Sequence, residues 1–239
     1  MDFHVVLDNL PYLLYGAYPD GPLGGAALTA LLSLGSGIAS AALGVALGVA
    51  LAMSRGRLHA ALAMVVGFFR SIPVLMLIFW TYFLLPTALG IDVPGVLSVM
   101  SALSLIGGAY LAHGVYAGIA GLGAGQMAAA LSLGLRPWQA LRLVVLPQAL
   151  RIMLPSFVNQ WVTLIKDSSL AYIVGVADLS FVAAQVNARV IIYPAEIFLF
   201  VGLIYWLLCM SLQTAAQYFA RRASVHLGRP STPLAMAPA

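Results

Sequence analysis

Arg70, with Pro73 three residues on, and the adjacent pair Lys166 and Asp167 are ionisable side chains set inside long apolar runs. A charge in such surroundings is costly and normally faces the interior of a helix bundle or a water-filled cavity. Two roles suit these groups. One is to line and gate a path for a polar solute, together with Asn159 and Ser168. The other is structural: Lys166 and Asp167 neutralise each other or cap helix ends, and Arg70 holds backbone carbonyls freed at Pro73. Asn159, Gln160 and Gln185 carry the same pair of readings, path lining or polar glue between helices. His113 reads as a helix–helix hydrogen bonder rather than a ligand.

The residues around these groups speak against an enzyme. No HExxH, no Gly-x-Ser-x-Gly and no carboxylate cluster is present. A phosphate cradle needs a glycine-rich turn ending in Gly-Lys-Ser/Thr. The single lysine, Lys166, is preceded by Thr163-Leu164-Ile165 and followed by Asp167. Cys209, the one cysteine, has no disulfide partner and no metal-ligating company. We therefore expect no catalytic, metal or cofactor site on this chain.

The elements that must position these residues are membrane spans. Of the 239 residues, 62% are hydrophobic and 8% charged, against about 25% charged in soluble domains. Such a chain turns its outside toward lipid. A spanning helix needs about 20 mainly apolar residues, and five stretches qualify: 24–53, 62–85 (bounded by Pro86), 95–119, 148–165 (interrupted by Pro155) and 195–218. Arg55 and Arg57 follow the first, Arg136 and Arg142 lie between the third and fourth, and Arg221, Arg222 and Arg229 follow the last. The positive-inside rule then puts the N-terminus outside and the C-terminus in the cytoplasm. The net charge of +4 is explained by this anchoring, without a basic stripe for nucleic acid. The first twenty residues lack the basic start of a secretory signal, so we expect no cleaved leader. Residues 1–23 read as an outer or interfacial segment, 24–222 as the membrane domain, and 223–239, with Pro230, Pro233 and Pro238, as a disordered cytoplasmic tail.

Two patterns stand out. Ser36, Ser40, Gly44 and Gly48 recur every fourth residue, placing small side chains on one helix face where another helix can approach closely. Gly114 and Gly118 form a second such pair. The stretch 125–155 is amphipathic instead of uniformly apolar. Gln126 to Leu133 favours helix, Gly134 stands where a left-handed residue ends one, and Pro137 suits the first turn of the next. Pro147 is expected to break that second helix. The result is a cytoplasmic helical elbow, either a docking knob for a cytosolic partner or a helix pair lying on the headgroups.

The same stretch resembles the signature loop of the permeases of ATP-binding-cassette importers, Glu-Ala-Ala, three residues, Gly. Ala129, Ala130 and Gly134 match it, followed by Leu135. The polar-amino-acid branch continues through residues 144–151, Leu154-Pro155 and Asn159 to Lys166-Asp167-Ser168-Ser169-Leu170. Gly175-Val176 with Asp178-Leu179 resembles its Gly-Val, one residue, Glu-Leu. Upstream, Arg70-Ser71-Ile72-Pro73 resembles its Arg-Gly-Thr-Pro. The similarity covers about residues 24 to 222. Ala128 replaces the motif's Glu, and His113 and Tyr116 stand where the family usually has an acidic and a basic residue.

The resemblance implies an all-α type I importer permease of about five spans in the bacterial inner membrane. It implies two cytosolic ATPases, which bind ATP and Mg, a second permease (identical or a sister chain), and a periplasmic or surface substrate-binding protein. It implies that Ala129, Ala130, Gly134, Leu135, Arg136 and Pro137 couple to the ATPase. Residues 71–73 and 79–83 look like the glutamate/aspartate type, and an acidic solute would suit a cavity holding Arg70 and Lys166. The alternative is an ion-gradient-driven transporter or channel, which often carries more spans, inverted repeats and broken helices; none of these is evident in the sequence.

Overall fold

The computed structural model describes residues 4–90, 92–191 and 193–225, with side chains as far as 218. Two short helices, α1 (His4–Asp8) and α2 (Leu10–Tyr15), precede the first long one, α3 (Gly25–Met53). Next come α4 (Gly56–Ser71) and α5 (Val74–Phe79); α5 passes through a π turn, Trp80–Leu84, into α6 (Leu85–Leu89). The long α7 (Gly95–Gly121) leads to α8 (Ala124–Ser132) and α9 (Pro137–Ala140). A second π turn, Leu141–Val145, joins α9 to α10 (Leu146–Asp167), which tightens into a 3-10 turn, Ser168–Val174. The chain closes with α11 (Leu179–Val190) and α12 (Pro194–Val225). Among the described residues, four helical runs are long and apolar enough to cross a membrane, and five if α4 with Val74–Leu89, bent by 101°, is counted as one broken span.

The small-residue face of α3 finds its partner in α7. Ser36, Ser40, Gly44 and Gly48 are all buried. A Cβ on Gly44 would lie 2.5 Å from Leu111 Cβ, and one on Gly48 would lie 2.6 Å from Val115 Cβ and 2.8 Å from the Ala112 carbonyl oxygen. Without side chains there, the two backbones approach closely, and van der Waals packing replaces the hydrophobic drive that lipid cannot supply. The buried serines spend their hydroxyls on their own helix: Ser36 donates to the Leu32 carbonyl at 2.5 Å and Ser40 to that of Gly37 at 2.9 Å. Gly118, the second small position, receives Met153 of α10.

Around this pair three cores form. The central one joins Leu28 and Leu32 to Leu77, Ile78, Leu103 and Leu164. The outer one packs Leu13 of α2 and Leu179, Val182 and Val186 of α11 against Ile197 of α12. The inner one is smaller, Leu51 and Val66 with Ala109 and Ala112.

Three features differ from expectation. The second span is broken, with Ile72 and Pro73 extended between α4 and α5. Proline 73 lacks an N–H and pushes the preceding residue out of helical conformation, so the chain turns there instead of running straight from 62 to 85. A broken span is therefore present where none was evident in the sequence. Neither Pro86 nor Pro147 ends its helix. Each follows a leucine that closes a π turn: the Leu85 N–H bonds the Trp80 carbonyl, and the Leu146 N–H bonds that of Leu141. The widened turn takes up the displacement the proline ring imposes on the carbonyls before it. The last helix runs to Val225; from 226 on, the tail, with Arg229, lies outside the described residues.

Gly48→Ala is expected to lower stability by about 1–3 kcal/mol, the usual cost of overpacking. Gly67→Ala, in open space on α4, is expected to be neutral or stabilising by about 0.5–1 kcal/mol. Thermal unfolding of the purified variants checks both; equal behaviour would contradict the packing assigned to α3 and α7.

Candidate functional site

The elbow is built by backbone hydrogen bonds that the sequence permits only at Gly134. Its φ is +83°, a region costing other residues about 1–2 kcal/mol. This lets the Leu135 N–H reach the Ala130 carbonyl (3.3 Å) and the Gly134 N–H that of Leu131 (3.0 Å), the paired closure of a Schellman end. Arg136 is extended, Pro137 opens α9, and the Arg136 N–H donates to Gln139 Oε1 at 2.9 Å. Gln148 Nε2 donates to the Val144 carbonyl at 2.8 Å and approaches Gln126 Oε1 at 3.4 Å, bridging α8 to α10. Ala130, Ala140, Leu141 and Val145 are buried between the arms. The outer surface is apolar: Leu133 is 84% exposed and Trp138 49%. Arg136 and Arg142 mark this side as cytoplasmic, so an uncovered apolar tip on a rigid turn reads as an interaction surface. Ala129 is exposed on the same arm.

Of the residues singled out for a path, the structure places Arg70 at the broken span. Breaking the helix at Pro73 frees the Arg70 carbonyl, and the Tyr110 hydroxyl of α7 donates to it at 3.2 Å. The Arg70 guanidinium carbon lies 5.3 Å from the centre of the same tyrosine ring, within cation–π range. Tyr110 thus caps the freed carbonyl, a task the sequence reading gave to Arg70. Arg70 Nε is buried and donates to nothing among the described residues, an unspent donor that buried polar groups rarely leave.

On α10, Ser156, Asn159 and Lys166 are exposed. Spacings of three, seven and ten residues put them along one face. A polar face on a spanning helix does not suit lipid. Ser168 is elsewhere: it is fully buried and donates to the Ile165 carbonyl at 2.8 Å. Asp167 is half-buried at the end of α10. No hydrogen bond or ion pair among the described residues joins Arg70 to the α10 face. Of the two departures in α7, His113 is exposed. Tyr116 packs its ring 5.5 Å from that of His59, whose Nδ1 lies 3.0 Å from the Leu51 carbonyl at the end of α3. Tyr110 and His59 carried no role in the sequence reading, because their partners lie 40 and 57 positions away.

Residues 44–225 match the family described as binding-protein-dependent transport system inner membrane component. The chain belongs to that family. The permease is 34% identical over 166 residues to the glutamate/aspartate import permease protein GltK of Escherichia coli O6:H1, covering 66% of this chain and 74% of that one. It is 31% identical over 205 residues to a probable amino-acid ABC transporter permease, YckA, of Bacillus subtilis, covering 86% of each. Among solved structures, an amino acid ABC transporter crystallised with histidines aligns at TM-score 0.79 and 24% identity over 93% of this chain and 99% of that one. The methionine transporter MetNI in an inward-facing form aligns at 0.72 and 22%, over 82% and 92%. The permease is the non-catalytic, multi-pass inner-membrane subunit of an ABC importer, and it works with an ATPase and a substrate-binding protein.

At the outer end, one buried carboxylate ties α11 to α12 beside the start of α3. Asp178 caps α11, accepting from the N–H groups of Ser180 at 3.2 Å and Phe181 at 3.0 Å and from the Tyr205 hydroxyl of α12 at 3.2 Å. The Leu179 N–H donates to Thr29 Oγ1 of α3 at 3.0 Å, and the Gly25 N–H to the Ala177 carbonyl at 2.9 Å. The motif match marked Asp178 in the sequence; its role in joining α11 to α12 needed the fold. Burial pushes its carboxyl up to about 6 from 3.8, against the opposing pull of these hydrogen bonds. The folded state therefore holds this proton more tightly than the unfolded chain. Its contribution is fully present below about 3.8 and lost as pH rises through about 6. Asp178→Asn is expected to remove this slope, roughly 3 kcal/mol for such a shift. Thermal unfolding of both proteins across that window checks it; an unchanged slope would refute the assignment.

Proposed function

We propose that this permease carries acidic amino acids, glutamate and aspartate, as one of two permease halves driven by two cytosolic ATPases that bind ATP and Mg. A periplasmic or surface binding protein delivers the solute. The observation that carries the coupling part is the elbow: a turn locked by backbone hydrogen bonds, with Leu133 and Trp138 uncovered on the cytoplasmic side. A rigid helix pair transmits rigid-body motion into the spans, and α9 continues through the π turn into α10 without a break. ATP binding draws the elbows together, and the spans rock to open the path outward. Ala129, Gly134, Leu135, Arg136 and Pro137 form the coupling surface, with Ala130 buried beneath it.

The acidic solute is supported by Arg70, which keeps an unspent buried donor at the break of a span, and by the exposed Lys166 on the polar face of α10. The name of the GltK relative points the same way. Arg70, Pro73, Asn159 and Lys166 line the path in this reading, with Asp167 and Ser168 holding the end of α10 as a gate.

Gly134→Val is expected to leave the complex assembled while uptake falls and ATP turnover continues. Co-purification, ATPase activity and uptake in vesicles separate these, and normal uptake would remove the coupling role from the turn. Arg70→Ala is expected to cut uptake of glutamate on the order of tenfold or more, as when a charged hydrogen bond of about 1.5–3 kcal/mol is lost, with a smaller loss for a neutral amino acid. Equal losses would leave Arg70 a structural role only.

A further inference from the structure

A groove runs between α3, α10 and α12, within the depth of three spans. It consists of two adjoining hollows of about 400 and 450 Å³ that share Trp161, Leu212 and Ala215 as walls. Along α3 it extends from Ala30 to Ala41, roughly 16 Å at 1.5 Å per residue. Trp161 forms its floor. The nitrogen edge of its ring comes close against α3 because Gly37 has no side chain: a Cβ there would overlap the indole nitrogen. That N–H donates to the Ser33 carbonyl at 2.8 Å, so it is spent inside the fold. The serines in the walls are spent as well. Ser33 donates to the Thr29 carbonyl at 2.7 Å, Ser40 to that of Gly37 at 2.9 Å, and Ser211 to that of Leu208 at 2.8 Å. The groove therefore presents an almost entirely carbon surface to an occupant, although three of its side chains carry hydroxyls.

We infer that this groove is a binding site for one acyl chain of a membrane phospholipid. Its length matches about half of the roughly 30 Å hydrocarbon thickness, the reach of one leaflet's chain. Its width excludes a helix from a second permease, since three turns of helix about 10 Å across would need on the order of 1,300 Å³. The nearly all-carbon walls offer water too few polar partners to hold it. The outward face of α12, with Leu203, Trp206, Leu207 and Met210 exposed, is apolar and meets the same solvent. The bound chain fills the gap between α12 and α3, so α12 is held to the bundle through lipid along this stretch.

The test is photolabelling of the full importer, reconstituted in vesicles of phosphatidylethanolamine containing a minor fraction with a diazirine in its acyl chain. Labelled peptides are mapped by mass spectrometry. The expected result is labelling at Phe157, Trp161 and Leu212 that is lost in Ala215→Phe, while labelling of Leu203 and Met210 persists. Ala216→Leu, which fills the same hollow from the next position, should act alike if Ala215→Phe does not assemble. Labelling confined to the outer face of α12 would mean that protein covers the groove and would overturn the inference. So would groove labelling that neither substitution reduces.

Discussion

The close approach of α3 and α7 is the contact on which the rest of the bundle depends. In lipid, apolar side chains gain little by meeting one another, so two helices stay together through dense packing and hydrogen bonding. Gly44 and Gly48 bring α3 down onto Leu111, Ala112 and Val115, and Gly108 accepts Leu43 in return. Both helices are then committed as a frame. The broken span packs on one side of α7 through Leu77 and Ile78. Helix α10 packs on another through Met153, seated at Gly114 and Gly118. A larger residue at any of these small positions would push apart elements whose functional groups lie far from it in sequence.

A second constraint governs where the helices deviate. Backbone groups inside a membrane must find partners within the protein, so each proline needs a local remedy. At Pro73 the remedy is a break, with the Tyr110 hydroxyl on the freed carbonyl of Arg70. At Pro86 and Pro147 it is a π turn closed by the preceding leucine. Thr81, in the first of these turns, lies 3.0 Å from the Ser98 carbonyl of α7 and 3.1 Å from the Leu77 and Ile78 carbonyls, which anchors the irregular turn to the frame. The second turn sits between the elbow and α10. A continuous helix therefore links the elbow to the span that bears Asn159 and Lys166.

The outer end shows the opposite economy. A single buried carboxylate, Asp178, joins α11 and α12 beside the start of α3, and Tyr12 of α2 donates to Gln185 of α11 at 2.5 Å with Arg189 lying 5.2 Å over its ring. Polar contacts dominate there, and packed carbon dominates at mid-depth, as the change of surroundings from water to lipid requires.

Residue order alone settled everything that depends on local physics. Apolar run length marked the five crossings, the arginines set their orientation, fourfold spacing of small residues marked the α3 face, and Gly134 with Pro137 marked the elbow. The ordered motifs were specific enough to name the family. Tertiary structure decided what depends on distant partners. The break at Pro73 was not read from the sequence, because an apolar run looks the same whether straight or bent. Pro147 is a helix breaker by propensity, and only the π turn, held by packing on both sides, keeps its helix whole. Ser168 and Asn159 looked alike as polar residues near a charge, yet one is buried and the other exposed. Helix phase and the neighbours on each face make that distinction, and neither is encoded at the position itself.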